Sequence, residues 1–336
     1  MIGGTQQNDT TCSIPCNLCG STDVEELALR DRNGNYLRTV ICKICGSIWT
    51  DPRPKGEDIE KFYSKEYRLE YKGIHRPKPK HIYREVIGAL RRFDFMKEVI
   101  RKNDLILDIG SGSGVFVYTL RKLGYDASGI EPDQGYAGYA AEVLQVPVKV
   151  AFVQDIDTSD SVNIVTMHHV LEHLEDPYGA VCKVHSLLKD KGFLIIDVPN
   201  AENIRQDPHN RYHKAHLYTF NPETIECLGS KAGFNVHKIS VEPYNGNISA
   251  IFQQSDVPGT VDGKLPGNYD KITKILDAHT TLRHFTTLTP YKKFLANTIK
   301  AIQEQMIARK FGSAKDIIDS IVREKNNKLT PESEAQ

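Results

Sequence analysis

Leu105-Ile-Leu-Asp-Ile-Gly-Ser-Gly-Ser-Gly114 is the stretch that decides the fold. Its first five residues read as a short buried strand, and three glycines then alternate with serine. Glycine lets the backbone come close to a ligand, and a helix beginning near Val115 points its amide groups at the same place. The stretch therefore predicts a strand, a binding turn and a helix, which open an α/β sheet and hold a nucleotide-like cofactor.

The glycine spacing bears on the kind of cofactor. Dinucleotide sites have a glycine three residues after the second one, but Val115 stands there and Gly114 comes one residue early. Glu131 ends the next predicted strand, where a carboxylate can accept hydrogen bonds from both ribose hydroxyls. Dinucleotide sites use an acidic residue in the same way, so Glu131 by itself does not choose between the cofactors.

Strands and helices alternate from Asp104 to about Ser255. This order predicts a parallel sheet with helices on both faces, closed by an antiparallel pair formed by NVHKISVEP and NISAIFQQS. The segments before and after this region have helical periodicity, and the first begins with GEDIEKFYSKEYRLEY. The segment before it has more basic than acidic residues, which fits either an anionic substrate or a solvated helix face. We divide the chain into a cysteine unit (12–51), a helical arm (52–103), the α/β core (104–255) and a helical C-terminal extension (256–336).

Two Cys-x-x-Cys pairs, Cys16 with Cys19 and Cys42 with Cys45, are each followed by glycine. The intervening stretch has apolar residues on both sides of Asn33-Gly34, which predicts a hairpin. Four thiolates complete a closed tetrahedral site, so we expect a structural zinc ribbon. The alternatives are a redox pair or another metal, and Cys12 is either a bystander or an alternative ligand.

Composition limits the classes of partner. The 43 basic and 43 acidic residues balance, whereas proteins that coat nucleic acid carry a basic excess, so we expect no nucleic acid partner. No apolar run reaches the roughly 18 residues of a spanning helix. The N-terminal MIGGTQQNDTT has no pattern of a secretory signal. With paired thiols that suit metal, these features predict a cytoplasmic protein.

LDIGSGSG, GIEPD, a Gln-Asp-Ile segment, HHVLEHLEDP, GFLIIDVPN and HLYTFNPETI together resemble the class I S-adenosylmethionine-dependent methyltransferases. The nearest group is the bacterial zinc-ribbon branch linked to sugar, glycan or natural-product modification, and the resemblance covers about residues 14–255. It implies a Rossmann-like seven-stranded sheet with the last strand antiparallel, S-adenosylmethionine as methyl donor and S-adenosylhomocysteine as product. The expected cofactor contacts are Asp108, Gly110, Ser111, Gly112, Gly114, Glu131, Pro132, Asp155, Ile156 and His168.

Two of these expectations have alternatives, and the sequence departs from the family twice. Asp155 follows the third strand and suits the adenine amino group, but it could instead cap a turn, and His168 could pack under the adenine. Asn163 replaces a usually acidic residue in a position that is mostly structural. Ala215-His216 replaces the Glu-His pair of sugar C-methyltransferases, which favours methylation of oxygen over carbon.

Transfer of a methyl group to a hydroxyl requires a proton acceptor, and histidine suits this near neutral pH. Histidines follow the fourth and fifth predicted strands, at the edge where open α/β sheets bind ligands. If the segment after the fourth strand is helical, His169 and His173 share a face. We expect the base among His216, His173, His213 and His169. Arg205, Arg211 and Lys214 could hold an anionic group of the acceptor or be solvated.

The sequence thus predicts an S-adenosylmethionine-dependent O-methyltransferase with a structural Zn²⁺, acting on a hydroxyl of a sugar, glycan or small metabolite, either free or nucleotide- or lipid-linked. The alternatives are an RNA methyltransferase, a sugar C-methyltransferase and a non-catalytic interaction subunit with the same fold. The C-terminal helices could form a homodimer or touch a membrane, with packing on the core as the default.

Overall fold

Short antiparallel strands build the N-terminal unit of the protein. The structure is a computed structural model and describes residues 11–54, 77–157, 161–243, 246–256, 259 and 261–329. The predicted hairpin around Asn33-Gly34 is confirmed, and Gly34 takes a positive φ of 82° in its turn. The strands of this unit are β1 (Thr11–Cys12), β2 (Val24–Arg30), β3 (Tyr36–Cys42), β4 (Ile48–Thr50) and β5 (Arg53–Pro54).

Seven further strands form the central sheet. They are β6 (Leu105–Ile109), β7 (Asp126–Ile130), β8 (Val148–Lys149), β9 (Val162–His168), β10 (Leu188–Val198), β12 (Phe234–Val241) and β13 (Ile248–Gln254). Their order is β12-β13-β10-β9-β6-β7-β8. Strands β6 to β10 are parallel, while β13 runs antiparallel to both of its neighbours. The predicted α/β sheet with its last strand antiparallel is therefore confirmed.

Helices pack on both faces of this sheet and on the N-terminal unit. They are α1 (Pro79–Met96), α2 (Val115–Lys122), α3 (Gln134–Tyr139), α4 (Pro177–Leu187), α5 (Pro222–Lys231), α6 (Asn268–Ala278), α7 (Thr281–Thr286), α8 (Thr289–Lys310) and α9 (Ala314–Leu329). Alternate side chains of a strand point to opposite faces: Ile106 packs in one hydrophobic cluster with α1, α2, α3 and α9, and Leu107 packs in another with α4 and α5. The core thus lies on both sides of the sheet.

Two local predictions meet different outcomes. VKVAFV (148–153) reads as the third of the alternating strands, but β8 pairs only with Gly129 and Ile130 and then ends. It lies at the edge of the sheet, and β7 ends at Ile130, so the following residues have no strand to pair with; Val153–Asp155 form a 3₁₀ turn instead. The helix predicted for GEDIEKFYSKEYRLEY lies outside the described residues.

The N-terminal unit is joined to the sheet domain by a shared strand. β11 (Tyr218–Thr219), from the segment after β10, pairs with β4 and extends the sheet β2-β3-β4. Trp49 is 1% exposed and packs in the same cluster as Leu107. The side chain of Asn268 donates from Nδ2 to the carbonyl of Cys45 (2.8 Å). The cysteine unit is therefore part of the core packing, not an appended module.

The C-terminal helices differ in how they pack. Ile317, Ile318 and Val322 of α9 are buried on the face that holds α1 and α2. Helix α8 leaves several apolar side chains exposed, among them Phe294 at 74%. Its Glu304 is buried and pairs with Arg84 of α1 (2.6 Å). Among the described residues, no helix carries an apolar stretch long enough to span a bilayer.

We expect Asn268→Ala to lower the free energy of unfolding by about 1–3 kcal/mol, because the buried Cys45 carbonyl loses its donor. The measurement is chemical denaturation followed by circular dichroism. Asn235→Ala, at an exposed position of β12, is the matched control and should change it by less than about 0.5 kcal/mol. Equal losses in both variants would contradict this role of Asn268.

Candidate active site and metal centre

A cavity of about 1350 Å³ opens at the carboxyl ends of the parallel strands. This is the edge at which open α/β sheets bind ligands, since the loops after each strand diverge there. The residues after β6, β7, β9 and β10 all contribute to its lining. The cavity also reaches Cys16 and Arg53 of the N-terminal unit, so that unit forms part of its wall.

The glycine turn after β6 forms one end of the cavity. Gly110, Gly112 and Gly114 have φ of 72°, 55° and 76°, values that disfavour residues with a Cβ. A Cβ on Gly110 would lie 2.5 Å from Cγ2 of Val170, so this position is also closed sterically. Gly114 precedes α2, packs against Ala140 and is absent from the cavity lining. Two of the three glycines therefore face the cavity, and the third fits the helix onto the core.

Glu131 is fixed beside this turn. Its Oε2 accepts from the amide of Gly112 (2.7 Å) and its Oε1 from the amide of Asp133 (3.1 Å). The side chain is 4% exposed and lines the cavity next to Pro132. Each carboxylate oxygen has further lone pairs, so both can also accept from ligand hydroxyls. This geometry suits a ribose.

Asp108 and Ser111 support the turn from below. Asp108 is buried, accepts from Oγ1 of Thr166 (2.7 Å), and lines the cavity. Its backbone carbonyl accepts from Oγ of Ser111 (2.7 Å). Burial raises the pKa of the Asp108 carboxyl to about 6, although the bond from Thr166 opposes this. The site thus holds a carboxyl group that gains a proton more readily than usual.

His168, at the end of β9, is a buried imidazole on the cavity wall. It is 8% exposed, and neither ring nitrogen has a hydrogen-bond partner among the described residues. Phe116 meets its ring edge-on, with centroids 5.0 Å apart. Burial holds the pKa of His168 well below its ordinary value, so it is neutral. Buried polar atoms of this kind indicate that a ligand covers them.

The structure places the predicted adenine contacts differently from the other cofactor residues. Oδ2 of Asp155 accepts from the amide of Phe152 (3.1 Å) and closes the turn, which was the alternative role. Neither Asp155 nor Ile156 lines the cavity, whereas Phe152 and Gln154 do. Gln154 belongs to the same Gln-Asp-Ile segment and lies one residue before Asp155, so the sequence already marked this position.

Glu172 is the centre of the histidine-rich wall, and it was not among the predicted site residues. His169 has a positive φ of 57°, and the next residues make one 3₁₀ turn, Leu171–His173, so the helical face expected for His169 and His173 does not form. Instead both rings approach Oε1 of Glu172: Nδ1 of His169 lies at 3.1 Å and Nε2 of His173 at 4.0 Å. The motif HHVLEH contained Glu172 between them.

The loop between β10 and β11 brings the remaining predicted histidines to the same wall. The amide of Leu217 donates to the carbonyl of Glu172 (2.7 Å). The ring of His216 packs edge-on against His173, with centroids 4.9 Å apart, and lies 3.8 Å from that of His213. All four predicted catalytic histidines line the cavity: His169, His173, His213 and His216.

Burial sets the charges of this cluster. It lowers the pKa of His213 to about 4 and that of His216 well below its ordinary value, with neighbouring cationic groups adding to the effect. Burial would also lower the pKa of His169 and raise that of Glu172. Their mutual hydrogen bond and the neighbouring charges together outweigh burial, so the pKa of His169 is raised and that of Glu172 is lowered. The wall therefore combines the carboxylate of Glu172 with the neutral imidazoles of His213 and His216.

The rest of the cavity carries both polar and apolar side chains. Arg211 lines it, while Arg205 and Lys214 are exposed and do not. Sequence reasoning missed a set of side-chain amides, four of which lie in the loop between β10 and β11 and one just before β13. They are Asn200, Asn203, Gln206, Asn210 and Asn247.

The four predicted zinc ligands come together at the base of the N-terminal unit. The sulfurs of Cys16 and Cys45 are 3.5 Å apart, as are those of Cys19 and Cys42. All four lie within 4.8 Å of one another. Zinc with sulfur bonds of about 2.3 Å in a tetrahedron spaces its ligands by about 3.8 Å. The set therefore fits a structural zinc ion.

Comparison with known proteins identifies the sheet domain. A family model described as a methyltransferase domain matches residues 80–239. Residues 80–239 form a methyltransferase domain. The domain is of the S-adenosylmethionine-dependent type, and the glycine turn, Glu131 and the unpartnered nitrogens of His168 are the features that fit this cofactor.

Two curated relatives are ubiquinone biosynthesis O-methyltransferases. The one from Bradyrhizobium diazoefficiens is 26% identical over 38% of this chain and 53% of its own length. The one from Coxiella burnetii (strain Dugway 5J108-111) is 28% identical over 42% and 57%. The match thus spans little more than half of the relatives' length.

Solved methyltransferases are also similar at low identity. Magnesium protoporphyrin IX methyltransferase from Synechocystis PCC 6803 is 14% identical, covering 60% of this chain and 100% of that chain with a TM-score of 0.47. A methyltransferase from Archaeoglobus fulgidus is 16% identical, covering 56% and 98% with a TM-score of 0.46.

We expect Cys42→Ser to lose one zinc equivalent per chain and to lower the free energy of unfolding by at least about 3 kcal/mol, because binding of structural zinc is coupled to folding. Elemental analysis and denaturation measure the two effects. Cys182→Ser, outside the cluster, is the control. Unchanged zinc content in Cys42→Ser would contradict the assignment.

We expect Glu131→Ala to weaken binding of S-adenosylhomocysteine by about 100-fold or more, because two hydrogen bonds to a carboxylate are lost. Isothermal titration calorimetry measures this. Glu98→Ala removes an exposed glutamate from the far end of the domain and should bind normally. Normal binding by a folded Glu131→Ala protein would disprove the ribose contact.

Proposed function

We propose that this protein transfers the methyl group of S-adenosylmethionine to a hydroxyl oxygen of a polar small molecule. The observation that carries the proposal is the adjacency of two groups of residues in one cavity. The glycine turn with Glu131 forms one end, and the Glu172–histidine wall follows directly from His168 at the end of the neighbouring strand. A cofactor at the turn and an acceptor at the wall would meet between them.

The residues have distinct tasks in this reaction. The bound cofactor supplies an electrophilic methyl group on a sulfonium, whose leaving group needs no proton. The chain must orient the acceptor and help remove the hydroxyl proton, steps that depend on position as much as on basicity. The four histidines on the wall are the groups for proton removal, with Glu172 fixing His169. Asn247, 3.1 Å from Nε2 of His169, fixes the same ring from its other side.

The polar lining favours a sugar, glycan or other polar metabolite as the acceptor. Side-chain amides donate and accept hydrogen bonds and suit several hydroxyls at once. Arg32 and Arg211 also line this part of the cavity and could hold a nucleotide or lipid-linked phosphate. The curated relatives are named O-methyltransferases, which supports oxygen as the atom methylated. We assign the protein to the zinc-ribbon branch because Cys16 and Arg53 reach the same cavity.

The remaining parts of the proposal concern assembly and location. A homodimer through the C-terminal helices would bury the exposed apolar side chains of α8, including Phe294 and Leu295. We propose a cytoplasmic location because four thiols that bind zinc must stay reduced. Methylation of RNA and of a sugar carbon, and a non-catalytic role, remain the alternatives that the following experiment separates.

The test is incubation of the purified protein with S-adenosylmethionine labelled in the methyl group and panels of sugar nucleotides, glycans, small hydroxyl metabolites, keto-sugars and bulk RNA. We expect label in a polar small molecule as a methyl ether, identified by NMR. His216→Ala should lower kcat by about 100-fold, the usual size of a lost proton-transfer group, while still binding S-adenosylhomocysteine.

Label on a sugar carbon or in RNA would replace the proposal by the corresponding alternative. Failure of the wild-type protein to bind S-adenosylmethionine would favour the non-catalytic role. A His216→Ala protein that turns over at the wild-type rate would remove His216 from the chemistry.

A further inference from the structure

A buried carboxylate and two imidazoles meet on the cavity wall, apart from the cysteine cluster. One candidate ligand atom from each of Glu172, His173 and His216 lies within 4.8 Å of the other two. Glu172 is 1% exposed, and its Oε2 has no hydrogen-bond partner in the described part of the chain. Leaving a buried carboxylate oxygen unpaired is costly, so this atom indicates a cationic or hydrogen-bonding ligand.

The ring of His173 is oriented so that a lone pair faces the cluster. Its Nδ1 lies 2.7 Å from the carbonyl oxygen of Ala215. A carbonyl can only accept, so Nδ1 carries the proton and Nε2 the lone pair. A backbone carbonyl that fixes the far nitrogen is the arrangement found around metal-binding histidines. His169 supports Glu172 in the same manner, through Nδ1 to Oε1 at 3.1 Å.

A hydrogen-bonded network alone explains these positions less well. Nε2 of His173 and Oε1 of Glu172 are 4.0 Å apart, beyond hydrogen-bond distance. Two ligands of one ion, each bound at about 2.1 Å, can be up to about 4.2 Å apart. Three ligands at that bond length in a tetrahedral arrangement lie about 3.4 Å apart, so a set that spans at most 4.8 Å needs to contract by at most about 1.4 Å to place an ion between them. The three side chains also line the cavity, so further coordination positions would face it.

We propose that Glu172, His173 and His216 bind a divalent transition-metal ion. Two imidazoles and one carboxylate form a donor set for ions such as Mn²⁺, Fe²⁺, Co²⁺ or Zn²⁺, and differ from the four thiolates of the cysteine site. The pairing of a buried carboxylate with neutral imidazoles gives the site one compensating negative charge.

The role of this ion rests on the proposed function. A hydroxyl bound to the ion would have a lowered pKa and would lose its proton to His213, the neighbouring wall histidine outside the donor set, or to water in the open cavity. An oxygen lone pair then forms the new bond to the methyl carbon, and the electron pair of the broken carbon–sulfur bond stays with sulfur. The products are a methyl ether and S-adenosylhomocysteine. His173 and His216 would act by holding the ion, with His213 beside them.

The test is titration with Mn²⁺ of protein that carries one zinc ion per chain, in the cysteine cluster, followed by the EPR signal of free Mn²⁺, without cofactor or acceptor. Thiolate sites do not suit Mn²⁺, so the cysteine cluster stays occupied by zinc. We expect the wild-type protein to bind about one Mn²⁺ per chain. Glu172→Gln and His173→Asn should bind it at least about 10-fold more weakly, while His237→Asn, at an exposed histidine of β12, should bind it as the wild type does.

A second measurement is the zinc content after incubation with Zn²⁺ and gel filtration, with two equivalents expected in the wild type and one in Glu172→Gln. Retained binding of S-adenosylhomocysteine shows that each variant is folded. Binding of no Mn²⁺ and only one zinc by the wild type, or equal binding by Glu172→Gln and the wild type, overturns the site. Methyl transfer by a wild type with one metal ion would leave the proposed function standing. Metal binding without methyl transfer to any hydroxyl would leave the metal site standing and contradict the proposed function.

Discussion

The pairing of β11 with β4 is the interaction on which the candidate active site depends. It takes a short segment that follows the fifth parallel strand and fixes it to the sheet of the cysteine unit. The neighbouring amide of Leu217 is held by the carbonyl of Glu172. Together these bonds turn the loop back over the end of β9. Without them His213 and His216 would have no fixed relation to His173.

Through this arrangement the cysteine unit supports the acceptor pocket. Its metal cluster fixes the turns on which Cys16 and Cys45 lie, and Asn17 between the first pair bridges to Asp176 and the amide of Tyr178 at the start of α4. Trp49 is buried in the core that the cysteine unit shares with the sheet. Metal binding, core packing and the shape of the acceptor pocket are therefore energetically coupled, since the loop that forms the pocket ends in a strand of this unit.

Burial determines the charge states of the residues on the wall. A carboxylate in a dry environment is costly unless it is compensated, and Glu172 gains this from its hydrogen bond with His169. The same environment keeps His216 and His168 neutral. The positive φ of His169 belongs to the same pattern, since backbone strain of this kind clusters at functional sites and persists only where surrounding contacts hold it. The amide of His169 donates to the carbonyl of Asp197, and its ring contacts Glu172 and Asn247, which supply those contacts.

The sequence by itself determined the sheet, its antiparallel last strand, the glycine turn with Glu131 and the four sulfur ligands. Each follows from a local sequence pattern, because hydrophobic runs, glycine spacing and paired cysteines reflect short-range geometric requirements. Only the tertiary structure decided that Glu172 is central, that Gln154 and not Asp155 faces the cavity, and that the cysteine unit completes the pocket. These facts depend on contacts between segments far apart in the chain, such as β4 with β11, and on which side chains lose water when those segments meet. No local sequence pattern encodes these long-range contacts or the burial that they cause.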